Sequence, residues 1–267
     1  MLDQRVIEDA ARALDSALTS GVTIGQFSTR YPDMTIEDGY AIQSRWTRLR
    51  MQQGHKIVGR KIGLTSRAMQ QSAQITEPDY GILFEDMVFS DNSEIPFDRF
   101  IAPMVELEIA FVLGKRLEGE HISLCDVLSA TDYVCPAVEI VDSRVIRIDP
   151  QTGNRRKVFD TIADNAASAG LITGGLPVKP GEVDLRWVGG ILSRNGLIEE
   201  TGVAAGVLNH PGNGVVWLVK RLAAHGIALE AGQVILGGSF TRIVVAERGD
   251  TFHADFGSLG SLGFRFV

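Results

Sequence analysis

Cysteine is almost absent from this 267-residue chain, which carries two, Cys125 and Cys135. Neither falls in a Cys-x-x-Cys or Cys/His cluster, so a disulfide framework and a thiolate zinc site are excluded and a reducing cytosol fits. Positive charge is also scarce: 26 Lys and Arg face 33 Asp and Glu, for a formal net charge of -7. A general nucleic-acid or anionic-membrane binder concentrates cations, and the short run Arg155-Arg156-Lys157 does not reverse the balance. No stretch approaches the roughly 20 apolar residues of a membrane helix. The opening Met-Leu-Asp-Gln-Arg-Val has neither the basic n-region nor the apolar h-region of a secretory signal. The expectation is a soluble, unprocessed cytoplasmic protein. Gly-x-Ser-x-Gly, Gly-x-Gly-x-x-Gly and phosphate-loop patterns are missing as well, and Gly59 with Gly63 makes none of them, so nucleotide cofactors are unsupported. The five histidines are scattered, and no His-x-Glu or Glu-x-x-His pattern joins one to a glutamate.

What is present is an apolar fraction of 45%, ample for a substantial core. One composition shift divides the chain into a helical N-terminal segment, residues 1–55, and a β-rich remainder, residues 56–267, and the whole reads as α+β. Val6, Ala10, Leu14 and Leu18 share a helical face that Gly21 stops. Thr35 and Asp38 open a second helix with the spacing of a capping box, Ile42, Trp46 and Leu49 form its stripe, and Gly54 closes it. Strands are expected over 57–64, 105–112, 137–142, 187–194, 234–238, 241–247 and 261–267, with a hairpin turn at Asn195-Gly196. A late helix starts near Pro211, carries a broad apolar face of Val215, Val216, Leu218, Val219 and Leu222, and ends at Gly226.

Three carboxylates stand in apolar runs. Glu106 and Glu108 lie in Pro-Met-Val-Glu-Leu-Glu-Ile-Ala-Phe-Val, and Glu139 lies in Pro-Ala-Val-Glu-Ile-Val. Strand side chains alternate between faces, so Glu106 and Glu108 point one way while Val105, Leu107 and Ile109 point the other. Such a pair is either the solvated face of a half-exposed strand or a set of ligands. Buried like charges need a positive partner, and a hard divalent cation held by oxygen ligands, with Glu139 as the third, supplies one.

Other groups carry two readings each. Lys61, in Val58-Gly59-Arg60-Lys61-Ile62-Gly63, is a snorkelling surface group or a proton shuttle tuned by desolvation. Asp79, in Glu77-Pro78-Asp79-Tyr80-Gly81, belongs to an ordinary turn or to a site. Lys157 and the hydroxyls of Gly237-Gly238-Ser239-Phe240-Thr241 bind a substrate carboxylate, or form a solvated loop and a tight strand connection.

Taken together and in this order, these motifs resemble the fumarylacetoacetate hydrolase superfamily, in its hydratase and decarboxylase branch of bacterial aromatic meta-cleavage pathways. The likeness covers nearly the whole chain. It rests on Gly59-Arg60-Lys61-Ile62-Gly63-Leu64-Thr65-Ser66, Glu77-Pro78-Asp79-Tyr80-Gly81, Val105-Glu106-Leu107-Glu108, Lys157-Val158-Phe159-Asp160-Thr161, Asp164-Asn165-Ala166 and Gly202-Val203-Ala204-Ala205-Gly206-Val207. The resemblance implies a mixed β-roll or barrel-like core preceded by helices, with residues 56–267 as the metal-binding catalytic domain. It further implies self-association at least to dimers and a bound Mg²⁺, with Mn²⁺ as alternative. Glu106, Glu108 and Glu139 map onto the metal ligands, and Lys61, Asp79 and Lys157 onto catalytic groups. Thr65, Thr161, Ser239 and Thr241 are the expected substrate-binding hydroxyls. The implied activity is addition of water to a seven-carbon 2-oxo or 2-hydroxydienoate dicarboxylate. A five-carbon monocarboxylate hydratase, a decarboxylase, an acylpyruvate hydrolase and a non-catalytic partner subunit are the competing readings. Two departures weigh against the hydrolases: their histidine-based water-activating dyad is missing, and their Gly-Thr-Pro loop reads Gly-Gly-Ser-Phe-Thr here.

Overall fold

Two caps set the N-terminal helices. In the computed structural model, which describes residues 1–267 with the side chains of Ser72 and Ala73 set aside, helix α1 (Gln4–Ser20) starts where the Asp3 side chain accepts from the Arg5 N–H. It stops at Gly21, in the left-handed region at φ 69°. After the single turn α2 (Phe27–Arg30), helix α3 (Ile36–Gln52) opens on the expected capping box, Thr35 and Asp38 each accepting from the other's backbone. Helix α1 buries Ile7, Ala10, Ala11, Leu14 and Ala17, while Val6 and Leu18 are half-buried, so its inner face is rotated slightly from the predicted one.

Strand β1 (Ile57–Gly63), helix α4 (Arg67–Ala73), strands β2 (Asp79–Phe84), β3 (Val88–Phe89), β4 (Ser93–Ile95) and β5 (Met104–Leu113) follow. Helix α5 (Leu124–Ala130) runs straight into β6 (Thr131–Val141), and α6 (Val158–Ala163) precedes β7 (Ser168–Thr173). The hairpin β8 (Gly189–Arg194) and β9 (Leu197–Val203) turns at Asn195-Gly196, both at positive φ, 54° and 81°, as a type I′ turn requires. Helix α7 (Gly212–Ala223), β10 (Val234–Leu236), β11 (Val244–Val245), β12 (Thr251–Asp255) and β13 (Ser261–Phe266) complete the chain.

The fold is α+β. An eight-stranded mixed sheet in the order β2-β1-β10-β5-β6-β7-β3, with β11 paired to β5, curls into a half-barrel, and a five-stranded sheet runs β4-β13-β12-β8-β9. Strand β1 lies parallel to β10, whereas β5 and β6 are antiparallel. Ile7 of α1, Trp46 of α3, Leu107 of β5 and Phe266 of β13 belong to one apolar cluster, so both segments of the chain share a core. The Gln43 amide ties α3 to the Tyr80 and Ile162 carbonyls. No helix among the described residues is long and apolar enough to cross a membrane.

Three expectations are corrected. Residues 79–84 form a strand buried along its whole length, where Pro78, Asp79 and Gly81 suggested a turn. The run 241–247 contributes only Val244–Val245 to a ladder, because the residues before it are tied to β5 through loop contacts. The strand expected from Trp187 starts at Gly189, since Leu185–Trp187 forms a 3-10 turn in which the Asp184 carboxylate accepts from the Arg186 N–H.

Candidate metal centre and active site

Sheet register brings the three glutamates together. Strand alternation places Glu106 and Glu108 on one face of β5, and β6 runs antiparallel with Glu139 directly opposite Glu106. Val105, Leu107 and Ile109 point the other way into the core. Carboxylate oxygens of the three lie within 4.8 Å of one another. Glu108 and Glu139 are fully buried and Glu106 is half-buried at the wall of a cavity of about 890 Å³.

The charge balance does not close with protein groups alone. Lys61, 3% exposed, stands with Nζ 3.3 Å from Glu139 Oε2, and the Gly238 N–H donates to Glu108 Oε2 at 2.7 Å. Glu108 Oε1 has no hydrogen-bond partner, and neither Glu139 oxygen accepts a well-formed hydrogen bond; its contact with Lys61 is an ion pair. Burial, and then the neighbouring Glu139 charge, push the Glu106 and Glu108 carboxyls above the ordinary range. One lysine facing three carboxylates leaves orphaned buried oxygens on converging side chains. A hard divalent cation fits that donor set.

Asp79 and Lys61 meet beside the glutamates because Gly63 has no side chain: a Cβ there would collide with Asp79 Oδ1 and press on Lys61 Nζ. Burial pushes the Asp79 carboxyl up to about 6 against the lowering pull of Lys61. Burial alone would lower the Lys61 ammonium; Glu139, Asp79, Glu106 and Glu108 outweigh it and hold the proton more firmly than usual. Both groups are thus buried at the carboxylates, whereas the surface and turn readings placed them outside.

Lys61, Asp79 and Glu106 line the cavity, and so do Thr65, Thr161, Ser239 and Thr241. Lys157 does not. Its backbone caps α6, with the Asp160 carboxylate turned back on its N–H at 2.8 Å, and its exposed side chain lies with Nζ 5.6 Å from the Phe159 ring centre. Its side chain thus stands apart from the residues that line this cavity. Arg156, next to it, is half-buried, donates to the Ser143 hydroxyl at 2.9 Å and exerts its charge on Asp79. The Gly238 amide, Phe240, Arg242 and Glu200 are further site groups that residue patterns did not single out. The adjacent Ser239 and Thr241 were the one signal pointing to that loop.

No family model matches the chain. It is 57% identical over 267 residues, the full length of both chains, to the 2-oxo-hept-4-ene-1,7-dioate hydratase of Escherichia coli. The chain belongs to the hydratase and decarboxylase branch of the fumarylacetoacetate hydrolase superfamily. Another member of these hydratases, the 2-keto-4-pentenoate hydratase of Paraburkholderia xenovorans (strain LB400), is 42% identical over 259 residues, 97% of this chain and 94% of that one. Among solved structures, 4-oxalocrotonate decarboxylase from Pseudomonas putida G7, complexed with magnesium and adipate, superposes with a TM-score of 0.94 at 34% identity, covering 100% of this chain and 99% of that one. Membership of this superfamily agrees with the resemblance drawn from the motifs and with the mixed, curled sheet.

Proposed function

We propose that this enzyme adds water to 2-oxo-hept-4-ene-1,7-dioate, through its 2-hydroxydienoate and 2-oxo-3-ene tautomers, to give 4-hydroxy-2-oxoheptane-1,7-dioate in the breakdown of homoprotocatechuate. The observation that carries the reading is the set of three converging carboxylates with orphaned oxygens at a cavity that also holds Lys61 and Asp79. The substrate follows the name of the relative that matches the whole chain at 57% identity.

Glu106, Glu108 and Glu139 hold a divalent cation, Mg²⁺ by preference and Mn²⁺ as alternative. When bound, the cation supplies Lewis-acid stabilisation of negative charge on the substrate's C2 oxygen. Lys61 keeps its proton and lays positive charge beside the glutamates. Asp79, with its carboxyl near 6, exchanges a proton around neutral pH. Asp79, with the fixed Lys61 charge beside it, handles the proton traffic: the dienol O–H loses one, C5 gains one to form the conjugated enone, and water gives its hydroxyl to C4 and its other proton to C3. Thr65, Thr161, Ser239 and Thr241 offer hydroxyls to the substrate's oxygens. Lys157 has no part at these atoms.

Cytoplasmic operation as a homo-oligomer goes with this reading; exposed Trp187, Leu197 and Ile198 around the β8–β9 hairpin supply apolar surface for a second copy. The test is product identity. With the seven-carbon dienol and Mg²⁺, mass spectrometry is expected to find a product heavier than substrate by one water. Release of CO₂ or of pyruvate instead would replace hydration by decarboxylation or acylpyruvate hydrolysis.

A further inference from the structure

A dicarboxylate substrate presents a second anion at the end opposite the metal-binding end, and that anion needs a cation. Among the described residues lining the cavity, Lys61 and Arg242 are the two that carry positive charge. The charge of Lys61 is already committed to Glu139 and Asp79. Arg242 lies at the open side: its side chain is 85% exposed and its one ion pair among the described residues is with Glu200, at 2.8 Å. We propose that Arg242 is the specificity-determining residue that binds the far carboxylate of the substrate, giving up its exposed Glu200 partner to the ligand. This inference rests on the hydratase reading for the identity of the substrate.

The backbone carrying Arg242 is registered to the metal-ligand strand. The Leu107 N–H donates to the Thr241 hydroxyl at 3.2 Å, the Phe240 N–H donates to the Leu107 carbonyl at 3.3 Å, and Val244 pairs with Val105. The backbone at Arg242 is therefore anchored to the strand that carries Glu106 and Glu108. Glu200 reaches the same place from the other sheet: it sits on β9 opposite Leu192, and Gly202, whose missing side chain lets the Phe240 carbonyl approach, holds β9 against the Arg242 loop. Leu64, Met69 and Phe240 line the same cavity and give it apolar wall for a methylene chain. An exposed arginine–carboxylate pair is weak, so exchange of the Glu200 carboxylate for that of a ligand costs little. The guanidinium presents five N–H donors in a fork that matches a carboxylate, and a single contact with Glu200 leaves an edge free. A monocarboxylate substrate makes no use of this group.

The probes are adipate and hexanoate, two ligands of equal chain length differing in the second carboxylate, titrated calorimetrically into the Mg²⁺-loaded protein. Wild type is expected to bind adipate more tightly than hexanoate. Arg242→Gln is expected to weaken adipate about ten- to hundredfold, the loss of a charge-assisted hydrogen bond, and to leave hexanoate unchanged. Glu200→Gln should keep adipate binding or tighten it. Unchanged adipate binding in Arg242→Gln, a parallel loss of both ligands, or an equal loss in Glu200→Gln would overturn the assignment. The kinetic counterpart is a raised KM for the seven-carbon dienol with an unaltered KM for 2-hydroxypenta-2,4-dienoate. Should wild type hydrate neither dienol, the hydratase reading falls while the adipate and hexanoate titrations still decide Arg242.

Discussion

Asp79→Asn should make the metal-free protein more stable while damaging its chemistry. Asp79 is 2% exposed, its Oδ1 has no hydrogen-bond partner, and burial lifts its carboxyl from 3.8 to about 6 even with Lys61 nearby. The folded chain therefore holds the Asp79 proton more tightly than the unfolded chain does. The sign follows: the cost of ionising Asp79 is absent below about 3.8, grows as pH rises toward 6 and is fully developed above it. At 1.36 kcal/mol per decade of proton affinity, the gap from 3.8 to about 6 corresponds to about 3 kcal/mol at pH 8 and roughly half as much at pH 5. An asparagine has the same shape and no charge to bury, so urea unfolding in the presence of a chelator should give a variant that gains on wild type as pH rises. The same variant should lose most of its turnover with metal restored, because an amide neither gives nor takes the proton. A stability difference independent of pH, or a variant weaker than wild type at both pH values, would show that burial does not hold Asp79 against ionisation.

Asp38 has the opposite sign. Burial pushes its carboxyl up, but hydrogen bonds from the Leu2 and Thr35 N–H groups and the Thr35 hydroxyl outweigh that and lower it, so its stabilisation is complete above 3.8 and disappears as pH falls through the lowered folded value. Asp38→Ala should cost about 2 kcal/mol in urea at pH 7 and little in strong acid; an equal cost at both would refute the charge argument. Burial pushes the Cys135 thiol up to about 11, whereas Cys125 is exposed. A thiol reagent at pH 8 should therefore label one cysteine per native chain and both after unfolding. Rapid native labelling of Cys125→Ser would contradict the burial of Cys135.

The glutamates were legible because two local facts, strand alternation and the cost of buried like charge, suffice to single them out; the Glu106–Glu139 register then follows from antiparallel pairing of β5 with β6. The helix starts were legible for the same reason, since the Asp38 carboxylate and the Thr35 hydroxyl act within one turn. Asp79 was not, because a strand buried on both faces shows no alternation, and Pro78 and Gly81 then dominate the local pattern. The burial of Lys61 depends on carboxylates supplied by β2, β5 and β6, none of them its chain neighbours. Arg242 reads as an ordinary surface cation until β9 of the second sheet brings Glu200 beside it. Lys157 differs again: its motif is intact, while its exposed side chain at the start of α6 stands apart from the cavity lining.

The most direct measurement is turnover of the seven-carbon dienol by wild type, Glu108→Gln and Glu139→Gln, each after chelation and again after Mg²⁺ is restored. Wild-type activity is predicted to disappear on chelation and return with Mg²⁺, while both variants remain inactive with their circular dichroism unchanged. Wild-type turnover that survives chelation, or a Glu139→Gln variant with full Mg²⁺-restored activity, would contradict a hydratase built on these three carboxylates.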